Sequence, residues 1–222
     1  MSEPIRAGDL VVVLSGLAMA EYLAMPAVSA SLLKIMLGEC PRAAWWDSWL
    51  NPNPPKRDDD TAESDAGSIA HGILLEGSTD SVVVIDPNDH PAEKTGAIPK
   101  GWTNKSIRTA RDIARAAGKI PVLLDDMGMI ENMVDSAWAF IQACEREEPA
   151  IWDVFQEGRG ESELTMTWNE GEWPEGGTPC KIRPDRISLD RKVVVDVKTT
   201  KRSAEPASWA RSQLEGMGYY LS

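Results

Sequence analysis

Cys180-Lys181-Ile182-Arg183-Pro184-Asp185-Arg186-Ile187-Ser188-Leu189-Asp190-Arg191-Lys192-Val193-Val194-Val195-Asp196-Val197-Lys198-Thr199-Thr200 is the stretch whose reading decides how this chain folds. Cys180–Leu189 reads as a strand, Asp190-Arg191 as a tight turn and the valine-rich Lys192–Thr199 as a second strand. Just upstream, Glu161–Trp168 alternates: Glu161, Glu163, Thr165 and Thr167 face one way, and Leu164, Met166 and Trp168 the other. Gly171–Pro179, rich in Gly and Pro, connects it to Cys180. Three successive strands joined by turns predict an antiparallel meander.

Side-chain alternation puts Asp196 and Lys198 on one face of the last strand, and Val193, Val195 and Val197 on the other, toward a core. A carboxylate and a lysine ending an apolar strand are costly if buried without partners. The strand before supplies Asp185 across a short hairpin. Two close carboxylates repel and raise each other's pKa unless a cation joins them. Oxygen ligation of that kind suits Mg²⁺ or Mn²⁺, which polarises a phosphate and lowers the pKa of a bound water. Lys198 is then placed to orient the water and to balance charge developing on the phosphate. Glu163 is expected to reach the same face as a further ligand or base, and His71 to complete the shell through an imidazole nitrogen. Each has a plainer explanation: an exposed strand pair for Asp196 and Lys198, a turn residue after Pro184 for Asp185, a solvent-facing strand residue for Glu163, and a structural histidine for His71.

Upstream of the strands the chain reads as helical. Leu32–Leu37 predicts a short helix, broken by Gly38 and Pro41 and followed by a turn carrying Trp45, Trp46 and Trp49. Those tryptophans suit core packing or a lid, with base stacking as the sharper alternative. Residues 51–66 and 86–102 read as loops, separated by a helix over Gly67–Glu76 that carries His71 and by a short strand over Val82–Ile85. Thr103–Gly118 predicts a helix capped by Thr103 and stopped by Gly118, and Asp125–Glu147 is the clearest helix of the chain. Lys105, Arg108, Arg111, Arg115 and Lys119 form a basic stripe on the first of these, either a solvated face or a phosphate track. Pro206–Leu221 reads as a last helix.

Composition bounds the function classes. The 222 residues, 42% hydrophobic and 26% charged, suit one domain with a real core. No apolar run reaches the roughly 18 residues that span a membrane, so no membrane association is expected. Leu10–Ala20 has the apolar character of a signal peptide but almost no positive charge before it, which favours a cytoplasmic protein. Cys40, Cys144 and Cys180 make no C-x-x-C pair, which argues against a zinc or disulfide framework. The net charge of −12 argues against a general nucleic-acid binder. Yet eight basic and three acidic residues lie between Lys181 and Arg202, a local positive strip in an acidic chain.

Pro184-Asp185 with Asp196-Val197-Lys198 resembles the PD-(D/E)xK nuclease superfamily, and within it the RecB-like branch and the RecE (exonuclease VIII-type) nucleases of prophages. Ser29-Ala30-Ser31-Leu32-Leu33 with Cys40-Pro41, Gly67 through Glu76, Ala116 through Leu123, Glu161-Ser162-Glu163, Lys181 through Ile187 and Val195 through Thr200 extend the likeness. It implies an α/β (α+β) restriction-endonuclease-like core: a central, mostly antiparallel sheet flanked by helices, over residues 26–222, behind an extension over residues 1–25. It implies a catalytic set of Glu163, Asp185, Asp196 and Lys198. The implied metal set is His71, Asp185, Asp196 and Val197, holding Mg²⁺ or Mn²⁺. Arg183, Arg186, Lys201, Gln213 and Tyr219 are the implied DNA contacts. The implied activity is an exonuclease on linear double-stranded DNA, 5′-to-3′, in phage-type recombination, beside a single-strand annealing recombinase and as a homo-oligomer. The family pattern continues beyond the helix that Ser222 ends, so the C-terminal part of the core is expected to be missing. A nuclease fold that holds DNA ends or a recombination partner without cutting is the alternative.

Overall fold

The structure, a computed structural model, describes residues 11–53, 62–171, 177–200, 205–209 and 211. It is a mixed α+β protein in two compact units. The first comprises residues 1–57, 161–196 and 200–222, and the second residues 58–160 and 197–199.

In the first unit, strand β1 (Val12–Leu14) precedes three short helices, α1 (Met19–Ala24), α2 (Ala30–Gly38) and α3 (Pro41–Trp46). Ser29 caps α2 by accepting the Leu32 N–H, and Pro41 starts α3, where its missing N–H costs nothing. Residues 12–24, part of the extension expected from the sequence, are thus built into this unit. Strand β4 (Gly160–Ser162) lies where the chain enters it, followed by β5 (Thr165–Glu170), β6 (Thr178–Ile182), β7 (Arg186–Ser188), β8 (Val194–Val195) and the short α8 (Pro206–Trp209). β5 pairs antiparallel with β1 and β6, giving the order β1-β5-β6. A separate sheet has the order β4-β7-β8, with β7 and β8 antiparallel.

This corrects the expected meander. Each of the two long strands read from the sequence is two strands in two sheets. Glu161–Trp168 breaks at Glu163, whose φ of 53° turns the chain out of β4 and into β5. Extended alternation cannot pass through a left-handed residue, so Glu163 does not share a strand face with Thr165 and Thr167. Cys180–Leu189 breaks at Arg183-Pro184-Asp185, between β6 and β7. Pro184 lacks an N–H to offer a ladder, and that favours the break there. The last strand is shorter than expected, Val194–Val195 alone, although Val193, Val195 and Val197 are half-buried while Asp196 and Lys198 are exposed. Gly177, at φ 81°, opens β6 where a Cβ would lie 2.5 Å from the Gly171 carbonyl oxygen, so only glycine fits that turn.

The second unit holds α4 (Ala62–Glu76), β2 (Val82–Ile85), a 3₁₀ turn over Pro87–Asp89, α5 (Lys105–Ala116), β3 (Ile120–Leu123), α6 (Leu124–Glu147) and α7 (Pro149–Val154). β2 and β3 pair in parallel, with Val82 opposite Ile120 and Ile85 opposite Leu123. α4 begins at Ala62, inside the expected 51–66 loop, and the N-cap of α5 is Asn104 instead of Thr103. Asn104 wins because its side chain accepts the Ile107 N–H at 2.9 Å while its amide donates to the His90 carbonyl at 2.6 Å. Ile69, Ala70, Leu74, Val122, Met127, Ile130, Val134 and Ile141 form the core, with Val197 packed against it. Among the described residues no helix is long and apolar enough to cross a membrane.

Candidate active site

The β7–β8 ladder brings the two aspartates of the sequence motif to the same end of the hairpin. Ile187 lies opposite Val194 and Arg186 opposite Val195, and Asp185 and Asp196 are the residues next beyond that last pair, outside the strands. Glu163 joins from the other flank of β7, where its N–H donates to the Asp185 carbonyl at 3.1 Å. Glu163, Asp185 and Asp196 thus lie next to the ends of neighbouring strands of one sheet. This is the part of the expected set that the first unit assembles.

The backbone of Glu163 is the strained point of this set. A left-handed conformation costs a non-glycine residue about 1–2 kcal/mol and persists only where the surroundings hold it. Three contacts do so. The first is the bond to Asp185. The second is the side chain of Leu164 next to it, 2% exposed. The third is an ion pair in which Arg183 Nη2 donates to Glu163 Oε2 at 2.5 Å.

Arg183 is itself interior, its side chain 9% exposed. Its Nη1 donates to the Leu17 carbonyl at 2.7 Å, and its guanidinium lies 5.9 Å from the centre of the Tyr22 ring. Burial raises the Tyr22 hydroxyl's pKa above the ordinary tyrosine value, and the Arg183 charge offsets part of that rise. These contacts correct the expectation that Arg183 meets DNA: both of its terminal nitrogens are bonded inward. Arg186 is half-buried and donates to Ser162 Oγ at 2.8 Å, and burial lowers its pKa. Arg191 pairs with Glu161 at 2.7 Å and Lys192 with Asp190 at 3.2 Å. Much of the basic strip is therefore bonded to protein groups.

Lys181 is the feature of this unit that sequence reasoning missed. It is 6% exposed, and its ammonium donates to the carbonyls of Tyr22, Leu23 and Met25 at 2.7, 3.3 and 3.0 Å. The three carbonyls lie at the end of α1, where those of Tyr22 and Met25 also accept the N–H groups of Met25 and Ala27. The Tyr22 and Trp49 rings lie 4.8 and 5.9 Å from the same ammonium, and burial lowers its pKa. Lys181 lines a cavity of about 100 Å³ with Ser29, Ser31, Asp47 and Trp49. The cue was faint: one lysine in the middle of a strand. Trp45 and Trp46 are 43% and 53% exposed, so the expected core packing does not hold for these two.

The second unit carries the remaining expected residues. His71 is half-buried on α4. Val197 packs on the core, and the Lys198 side chain is exposed. Gly67, one turn before His71 on α4, is where this helix meets the Val197–Thr199 segment: a Cβ there would lie 3.1 Å from Thr199 Oγ1. On α5, Arg115 pairs with Asp65 at 2.6 Å, Arg111 with Asp112 at 2.8 Å, and Lys119 donates to the Asp80 carbonyl. That leaves Lys105 and Arg108 as the exposed part of the basic stripe. Lys201, Gln213 and Tyr219 lie outside the described residues.

The donors present have the chemistry a hard divalent cation takes: three carboxylates at neighbouring strand ends, with a backbone carbonyl and an imidazole among the expected residues. Among the described residues no three His, Cys, Asp or Glu side chains converge closely enough to hold an ion. The fit therefore lies in donor type and strand position. No family model matches the chain, and no characterised protein or solved structure is significantly similar to it.

Proposed function

We propose that the chain is a divalent-metal-dependent deoxyribonuclease with a restriction-endonuclease-like core, acting from the ends of linear duplex DNA as the resemblance to RecE-type exonucleases implies. The observation that carries this is the β7–β8 hairpin, which puts Asp185 and Asp196 next beyond one end of its ladder, with the Glu163 N–H bonded to the Asp185 carbonyl from beyond β4.

Asp185 and Asp196 would hold the ion, Mg²⁺ or Mn²⁺, which would supply Lewis acidity toward the scissile phosphate and a lowered pKa for water. Glu163 accepts the proton of the attacking water or holds that water in line. Lys198 balances negative charge that develops on the phosphate. His71 and Val197, in the second unit, are the other ligands that the resemblance implies. A single-strand annealing recombinase and further copies of the chain are the proposed partners.

The test is incubation with linear and closed-circular duplex DNA of one sequence, with Mg²⁺, Mn²⁺ or a chelator. The expected result is loss of the linear form alone, only with metal, and abolished by Asp196→Asn. Binding to DNA ends without degradation under every metal would instead make the chain an end-binding protein. Degradation that survives Asp196→Asn would remove the aspartate pair from the chemistry.

A further inference from the structure

Arg183 is buried at a cost that packing does not explain. Its Nε is enclosed with no hydrogen-bond partner. The β5–β6 ladder pairs Met166 with Ile182, and one step further sets Thr165 opposite Arg183. Thr165, 0% exposed, holds the matching orphan, Oγ1. A hydrophobic side chain there would leave no unpaired donor and would suit the interior better. What the arginine adds is its grip on Glu163: one guanidinium nitrogen on Oε2 and the other anchored on the Leu17 carbonyl. The grip is one-sided. Oε2 is taken, and among the described residues no hydrogen bond claims the other carboxylate oxygen. It also acts where the backbone is left-handed, at the first of the two residues that join β4 to β5, which bonds to Asp185.

We propose that Arg183 is a positioning residue that fixes the direction of the Glu163 carboxylate at the strand end next to Asp185, holding one oxygen and leaving the other for the reaction. Arg183 touches neither substrate nor metal; it acts through Glu163. A lysine cannot reproduce the arrangement in full, because one ammonium lacks the planar fork that reaches Leu17 and Glu163 together. The proposal rests on the nuclease reading above, and its test separates the two.

The experiment compares wild type, Glu163→Gln, Arg183→Met, Arg183→Lys and the double variant Glu163→Gln/Arg183→Met. Thermal unfolding checks that each is folded. The readouts are Mn²⁺ affinity, followed by electron paramagnetic resonance with Mn²⁺ alone, and kcat and KM on linear duplex. Glu163→Gln and Arg183→Met are each expected to weaken Mn²⁺ binding or lower kcat by about 10- to 100-fold, with KM little changed. The double variant is expected to be no worse than Glu163→Gln, because both substitutions remove one device. Arg183→Lys is expected to fall between Arg183→Met and wild type.

A purely structural arginine would lower the melting temperature and leave Mn²⁺ affinity and kcat at wild-type values, and that result overturns the proposal. So do additive losses in the double variant. If Arg183→Met does not fold, Arg183→Lys with wild-type Mn²⁺ affinity and kcat, beside an impaired Glu163→Gln, overturns it equally. Mn²⁺ binding without cleavage by wild type refutes the nuclease reading, and the affinities then decide the positioning role alone. Neither binding nor cleavage refutes both.

Discussion

Ser188 organises the β7–β8 hairpin with one hydroxyl. It donates to Asp190 Oδ1 at 2.6 Å and accepts the N–H groups of Lys192 and Val193 at 3.1 and 3.0 Å. Ser188→Ala orphans the Val193 amide, while the Lys192 amide keeps its bond to Asp190 Oδ1, and is expected to cost about 1–3 kcal/mol in urea unfolding, with loss of activity because the hairpin places Asp185 and Asp196. The hydrogen bond from Ser188, and after it that from the Lys192 amide, hold the Asp190 carboxyl below its ordinary value of 3.8. A carboxyl depressed in the folded state stabilises fully above its unfolded pKa and loses that contribution as pH falls through the lower folded one. Unfolding followed from pH 6 down to pH 2 should therefore show an acid-side loss of stability that is smaller in Asp190→Asn; an unchanged pH dependence would refute the assignment. Residue identity alone made Asp190-Arg191 legible as a turn. It gave no sign that Glu163 is left-handed, because glutamate has no preference for that region and the surrounding alternation reads as unbroken strand.

At the scale of elements, the strands cross from one sheet to the other within continuous alternating sequence. Period two records which side of a strand a residue faces, and it is silent on which sheet that strand joins. The valine run and the Pro184 break were visible; the handover of β4 to β5 at Glu163 was not. Short elements were missed for a related reason. β3 was read only as part of a family likeness, and α7 has too few residues for a helical period to show. α4 was legible where its apolar face lies, and its first turn, without that face, read as loop. This helix also gives a prediction. Alanine at Gly67 gains about 1 kcal/mol of helix propensity against the crowding of Thr199 Oγ1, so Gly67→Ala should change stability by less than about 1 kcal/mol. Gly67→Val overpacks the contact and should cost about 1–3 kcal/mol, with a fall in kcat, since the displaced segment carries Lys198. Chemical denaturation and cleavage rates check both; a valine variant with wild-type values would show that this contact positions nothing.

At the scale of the whole molecule, the charge of −12 sets the terms on which a polyanion is met. Lys181, Arg183, Arg186, Arg191 and Lys192 are bonded to protein groups, so little of the local basic excess is left for phosphates. Duplex binding in chelator is therefore expected to be weak and shallow in salt, with a log–log slope of about −2 to −4, two to four phosphates' worth of released counterions. Mn²⁺ should tighten it by neutralising the carboxylates of the site. Fluorescence anisotropy on an end-labelled duplex, using Asp196→Asn as the variant without that gain, measures both. A steep slope near −8, or equal tightening in the variant, would point to a basic surface elsewhere on the chain.

By itself the sequence determined the local chemistry: the D…D-x-K residues and their turn, the valine face toward a core, the amphipathic helices and the absence of a cysteine framework. These follow from side-chain identity at short spacing, where the chain's own geometry brings neighbours together. Only the tertiary structure decided that Arg183 turns inward to hold Glu163, that Lys181 serves the carbonyls of α1, and that the alternating run around Glu163 divides between two sheets. Those outcomes depend on groups 20 to 166 positions apart in the chain, whose meeting is set by burial and unpaired hydrogen-bond donors that no local pattern records.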